Sequence, residues 1–99
     1  MAIRARRASE NVFRDLGFSE DEAENLKIRA DLMIELTKLI EAKALTQTDA
    51  AKLLGVTQPR VSDLVRGKID RFSVDTLIEM LGHAGACVSV MVTPRSQVA

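Results

Sequence analysis

Three polar side chains able to make specific hydrogen bonds stand near the start of a short apolar-periodic segment. They are Gln58, Arg60 and Asp63, between Thr57 and Gly67. Glutamine can bond two edge atoms of adenine and arginine two of guanine, so both types suit base recognition from the first turns of a helix in a DNA major groove. The surrounding sequence must then place this helix at the surface.

The residues around this segment have the spacing of a helix-turn-helix unit, at 46–67. Counting from Gln47, the fifth residue is Ala51, small enough for two helices to touch, and the ninth is Gly55, which tolerates a positive φ in the turn. The buried positions of the unit are Ala50, Leu54, Val56, Val61 and Leu64. This agreement predicts a second helix with one face free for DNA; the alternative is a small helical core that matches by chance.

The side chains on and beside that free face divide into two predicted classes. The predicted base-contacting residues are Gln58, Pro59, Arg60, Ser62 and Asp63. The predicted phosphate-contacting residues, which fix the register on DNA without reading sequence, are Gln47, Lys52, Thr57, Arg66, Lys68, Arg71 and Ser73. Pro59 falls in the first helical turn, where a missing N–H costs nothing.

Charge is distributed unevenly along the 99 residues, although 14 basic and 14 acidic residues give a net charge of zero. Residues 1–9 carry +3, residues 10–41 carry −5 and residues 42–72 carry +3. The positive charge therefore coincides with the helix-turn-helix and with Arg4, Arg6 and Arg7, which are either a minor-groove arm or a plain tail. The acidic stretch suits a basic protein partner, with Phe13 and Phe18 as anchors or as part of the protein's own core.

Capping residues predict a mainly helical fold with four helices. Ser19 with Glu22 is a capping box before a long apolar stripe that runs to about residue 44 and is wide enough for both core and partner contacts. Thr46, Thr57 and Ser73 begin three shorter helices, which glycines end. The predicted organisation is an N-terminal arm at 1–18, partly disordered, a helical domain at 19–85, a dimerising strand at 86–94 and a tail at 95–99.

The periodicity changes near the C-terminus. Residues 87–93 alternate, with Val88, Val90 and Val92 on one face, and Pro94 ends the run. A single strand cannot satisfy its own backbone hydrogen bonds. Because no mate is evident in the sequence, we expect the same strand of a second copy to pair with it, giving a homodimer.

Residues 45–73 resemble the XRE family of helix-turn-helix proteins. Nearly the whole chain, including the segment Asn11–Phe18 and the terminal strand, is similar to HigA-like antitoxins of type II toxin–antitoxin operons. That resemblance implies a dimer that binds a palindromic operator, represses its own operon and neutralises a RelE-like (HigB-like) mRNA-cleaving toxin. It also implies that Gln47 contacts phosphate and that Gln58, Pro59 and Asp63 face bases. Proline replaces a hydrogen-bond donor of many relatives here, and a strand replaces their fifth helix.

Two other readings of the resemblance remain: a stand-alone XRE-type repressor without a toxin, or a protein-interaction module without specific DNA binding. An enzyme is not indicated, because no glycine-rich phosphate loop or metal-ligand spacing is present and the one histidine, His83, lies near a helix end. Cys87 has apolar neighbours and is expected to be a buried thiol. We expect no cofactor, metal or small-molecule ligand, and a cytoplasmic protein without a signal peptide or membrane span.

Overall fold

The computed structural model describes residues 2–3 and 11–94. Its elements are β1 (Ala2–Ile3), α1 (Val12–Asp15), α2 (Glu20–Ala42), α3 (Gln47–Leu54), α4 (Gln58–Val65), a 3-10 turn (Ile69–Arg71), α5 (Val74–His83) and β2 (Cys87–Val88). The mainly helical prediction is confirmed, and α2 to α5 begin where the caps predicted. The arginines at 4, 6 and 7 and the tail at 95–99 lie outside the described residues.

Local hydrogen bonds explain the starts of three of these helices. The Ser19 hydroxyl accepts from the Glu22 amide at 3.2 Å and donates to the Glu22 carboxylate at 3.0 Å. Thr46 accepts from the Asp49 amide at 3.1 Å, and Ser73 from the Thr76 amide at 3.1 Å. Each bond satisfies one of the N–H groups that a helix N-terminus leaves without a partner.

The core lies between α2, α3, α4 and α5. Its buried members are Leu32, Met33, Leu36, Ile40, Ala50, Ala51, Leu54, Val61, Leu64, Phe72, Leu77, Met80 and Leu81. The predicted helix-turn-helix positions are buried, except that Val56 is half-buried. The broad stripe of α2 is only partly used by this core, because Ile28 and Ile34 stay exposed.

Residues 11–18, the second part of the predicted arm, are more ordered than their pattern suggested. Asn11 is buried, and its side-chain oxygen accepts from the Phe13 and Arg14 amides at 3.0 and 3.4 Å. Its amide nitrogen donates to the Ala23 carbonyl at 2.8 Å. One side chain therefore caps α1 and fastens it to α2.

The C-terminal strand differs from the expectation in length and in partner. Only Cys87 and Val88 are in a strand, and they pair in parallel with Ala2 and Ile3 of the same chain. We inferred the homodimer because we expected no pairing partner for this strand within the chain. For Cys87 and Val88 that expectation is wrong. Residues 89–94 form no regular element, and Val90 and Val92 are 71% and 89% exposed.

Gly55 turns the chain between α3 and α4 at a φ of +71°, as the motif required. The His83 ring lies directly against it, so that a Cβ at residue 55 would come within 2.5 Å of His83 Nδ1. His83 thus closes the turn from the end of α5, a contact that its sequence position did not suggest. Gly67 has a similar φ of +73° and open space around it.

This difference between the two glycines predicts the cost of adding a methyl group. Gly67→Ala should lower the free energy of unfolding by about 1 kcal/mol, because alanine is strained at positive φ. We expect Gly55→Ala to cost about 1 kcal/mol more, since the His83 ring must move aside. Urea unfolding of both variants checks this, and Gly55→Ala combined with His83→Ala should recover the excess. Equal losses in both single variants would contradict the contact.

Candidate nucleic-acid interface

The first turn of α4 presents an open polar surface. Gln58 and Pro59 are exposed and Ser62 is half-buried. Thr57 occupies the capping position, but its side chain makes no cap hydrogen bond, a difference from the expected cap. The Arg60 amide, three residues ahead of Thr57 like the amides bonded at the other caps, donates instead to the Thr57 carbonyl at 3.1 Å. The Thr57 hydroxyl and the Gln58 amide group are both available to a ligand in a groove.

Arg60 is held against the protein rather than extended into solvent. Its guanidinium carbon lies 4.3 Å from the centre of the Phe72 ring. Its Nη1 also donates to the Arg71 carbonyl at 2.7 Å. A cation over a buried ring is stabilised by the ring quadrupole, so a contact between Arg60 and a guanine would require it to leave both partners.

Asp63 organises two of the predicted phosphate-contacting residues. One carboxylate oxygen accepts from Arg71 Nη1 at 3.3 Å, and the other lies 3.8 Å from the Lys68 ammonium. The Asp63 side chain is largely buried, whereas both cations are more exposed. The carboxylate thus faces its own cations rather than open solvent, which fixes the direction of Lys68 and Arg71.

Arg29 of α2 bonds the backbone of residues 69–72, the segment that includes Arg71. Its Nη1 donates to the Ile69 carbonyl at 3.1 Å and to the Phe72 carbonyl at 3.4 Å. Its Nε is buried and has no hydrogen-bond partner within the described residues. Sequence analysis missed this residue, because an arginine beside an apolar stripe normally extends into solvent.

The other predicted phosphate contacts are on separate elements around α4. Gln47 and Lys52 are exposed on α3, Arg66 is exposed at the end of α4, and the Ser73 hydroxyl is used in capping α5. Helix N-termini favour anions because their first N–H groups are unpaired and their dipole is positive there. The N-termini of α3 and α4 therefore add to the cations that surround the exposed face.

Cys87 is exposed, so the expectation of a buried thiol is wrong. Its two-residue strand lies at the surface and does not cover the sulfur. Within the described part of the chain, no group of three or more His, Cys, Asp or Glu side chains could hold a metal ion. None of the helices between residues 11 and 94 has both the length and the hydropathy to cross a membrane.

Comparison with known proteins agrees with this geometry. A family model described as a helix-turn-helix domain matches residues 12–93. The chain belongs to that helix-turn-helix family. A solved structure whose name assigns it provisionally to the XRE family of transcriptional regulators is similar, with a TM-score of 0.71 and 29% identity over 79% of this chain and 88% of that one. A search of curated proteins gave no match.

The match extends well beyond the 22 residues of the motif, from α1 to the segment after β2. The matched family domain therefore contains α1, Arg29 and Phe72 as well as the motif. The solved structure supports the XRE type of helix-turn-helix for this protein. Both findings support a DNA-binding transcriptional regulator.

Proposed function

We propose that this helix-turn-helix protein is a sequence-specific transcriptional repressor that binds the DNA upstream of its own gene. The observation that carries the proposal is the polar face of α4: Gln58 is exposed in its first turn, and Asp63 further along the same helix pairs with the cations Lys68 and Arg71. Gln58 and Ser62 read base edges, and Pro59 packs on them. Lys68 and Arg71, with Lys52 and Arg66, neutralise phosphates, and the neutral Gln47 amide donates a hydrogen bond to a phosphate oxygen.

The repressor acts as a homodimer on a palindromic operator. Two α4 helices then enter successive major grooves, roughly 34 Å apart. Support for a dimer comes from the apolar side chains of residues 90–92, which are exposed in the single chain. Apolar segments of this kind are commonly covered by a partner.

A second role, neutralisation of a RelE-like toxin, is proposed for the surface formed by the residues between α1 and α2 and by the first turns of α2. Phe18 is exposed and stands edge-on to Phe13, with ring centres 6.2 Å apart. Beside Phe18 lies a hollow of about 370 Å³, also lined by Asp21, Glu22, Asn25, Leu26 and Arg29. An acidic surface with an aromatic anchor suits a basic ribonuclease. Binding assays with the protein encoded by the adjacent gene test this role, and the stand-alone repressor is the alternative.

Fluorescence anisotropy with the gene's own upstream DNA and a scrambled duplex, across a salt series, tests the repressor. We expect the upstream DNA to bind roughly a thousandfold more tightly than the scrambled duplex at equal salt. Equal affinity for the upstream DNA and the scrambled duplex would show that the protein responds only to the charge of DNA, and would contradict a sequence-specific repressor of its own gene. Absence of binding at low salt would leave a protein-interaction module as the function.

Two glutamine variants separate base contact from phosphate contact in the same assay. Gln58→Ala should weaken binding to the upstream DNA about 5- to 150-fold per half-site, the equivalent of 1–3 kcal/mol, and leave the scrambled duplex unaffected. Gln47→Ala, the matched control at the start of α3, should weaken both duplexes equally. Parallel losses for Gln58→Ala on both duplexes would contradict a base-reading role.

A further inference from the structure

The segment between α4 and α5 carries Lys68 and Arg71, two of the cations proposed for DNA phosphates. Its regular structure is a single 3-10 turn with bonds from the Arg71 amide to the Lys68 carbonyl at 3.0 Å and from the Phe72 amide to the Ile69 carbonyl at 3.3 Å. One such turn is not stable alone in water. The direction of these two cations therefore depends on contacts from other elements.

Arg29 supplies the contact that comes from outside the helix-turn-helix. The two carbonyls that its Nη1 bonds, those of Ile69 and Phe72, belong to the first residue of the turn and to the residue that follows it. These partners are 40 and 43 residues away in sequence. Because a guanidinium is planar and carries its donors in fixed directions, one side chain of α2 sets both ends of the turn.

The contacts from α4 hold the opposite side of the same segment. Arg60 bonds the Arg71 carbonyl, and Asp63 pairs with the side chains of Lys68 and Arg71. The turn is thus fixed between two helices. Without Arg29, the contacts from α4 and the buried Phe72 side chain still hold the segment, but the Ile69 and Phe72 carbonyls lose the donor that orients the backbone between them.

We propose that Arg29 is a positioning residue for DNA binding: it holds the backbone of residues 69–72 so that Lys68 and Arg71 meet the phosphates. The proposal rests on the proposed DNA-binding function. Arg29 acts through the two cations and makes no DNA contact of its own. The DNA interface is therefore supported by a residue of α2, which lies before the helix-turn-helix in sequence.

The salt dependence of DNA binding measures this role. Each phosphate contact contributes about 0.9 to the slope of log K against log salt. Arg29→Met keeps approximately the length of the side chain and removes its hydrogen-bond donors. It should reduce the magnitude of the slope by up to about 2 per bound protomer. It should also weaken the affinity at physiological salt by about tenfold. Lys38→Met, on the same helix and 61% exposed in its side chain, removes the same charge and should leave the slope at the wild-type value.

Arg29→Lys keeps the charge but has no planar fork, so we expect a slope between those of wild type and Arg29→Met. This variant also serves if Arg29→Met fails to fold. All slopes are measured well below the melting temperature, with circular dichroism to confirm folded protein. A lower melting temperature with a wild-type slope would show that Arg29 only stabilises the fold, and would overturn the proposal.

A double-mutant cycle shows whether Arg29 acts through the two cations. Lys68→Ala with Arg71→Ala should abolish the effect of Arg29→Met, because the residues to be positioned are then absent. Additive losses would mean that Arg29 contacts DNA directly or acts elsewhere, and would overturn the proposal. If the wild-type protein binds no DNA, the proposed function fails and this inference fails with it. If the wild-type protein binds DNA but the losses of affinity in the cycle are additive, only the inference is refuted.

Discussion

Replacing Val90 and Val92 together by lysine should give a monomer that binds the operator about a hundredfold or more weakly. A dimer binds its second half-site as an intramolecular step at an effective concentration near the millimolar range, an advantage that a monomer lacks. Four lysines close to the two-fold axis would repel one another and would have to be desolvated. Sedimentation equilibrium gives the oligomeric state and anisotropy the affinity.

A matched control for this experiment is Val12→Lys with Leu16→Lys. Both residues are exposed and apolar but lie at α1, away from the C-terminal segment. We expect that variant to remain a dimer and to bind the operator normally. If the Val90 and Val92 variant also stays dimeric, the two copies meet at another surface.

Phe72→Ala should lower the free energy of unfolding by about 3–5 kcal/mol. Phe72 is 2% exposed, it belongs to the core between the helices, and it supports the Arg60 guanidinium on its ring. A small domain has a total stability of about 5–15 kcal/mol, so this variant should be partly unfolded at moderate temperature. Urea unfolding measures the loss.

The same truncation at Phe18 is the control, because that ring is 43% exposed. Phe18→Ala should cost less than about 1 kcal/mol. Phe72→Leu keeps most of the buried apolar volume, so it should fold while losing the ring beneath Arg60. Similar losses for Phe18→Ala and Phe72→Ala would contradict the distinction between a core ring and a surface ring.

The sequence was sufficient for those features whose partners are close along the chain. The caps at Ser19, Thr46 and Ser73 bond amides three residues ahead, and the turn at Gly55 follows from backbone geometry at one residue. The apolar positions of the motif are buried because helical periodicity alone determines which side chains share a face. These local rules also gave the correct fold class.

Long-range pairings could not be predicted in this way. Arg60 could extend toward a base or fold onto Phe72, and only the path of the chain after α4 decides between them. The pairing of Ala2–Ile3 with Cys87–Val88 joins two segments too short to show any periodicity. Asp63 was predicted to face bases from its place on the free face of α4 and from the resemblance, whereas its position beside Lys68 and Arg71 depends on how the backbone turns at Gly67. Its role at the DNA remains a prediction.

The bonds from Arg29 and Arg60 to the segment after α4 end on main-chain oxygens, those of Ile69, Phe72 and Arg71. Every residue type carries such an oxygen, so these bonds place no demand on the side chains at 69 and 71. Natural divergence can therefore alter this part of the surface, and the exposed start of α4, without dismantling the support beneath them. An engineer seeking new operator specificities could randomise Gln58 and Ser62 on an unchanged scaffold.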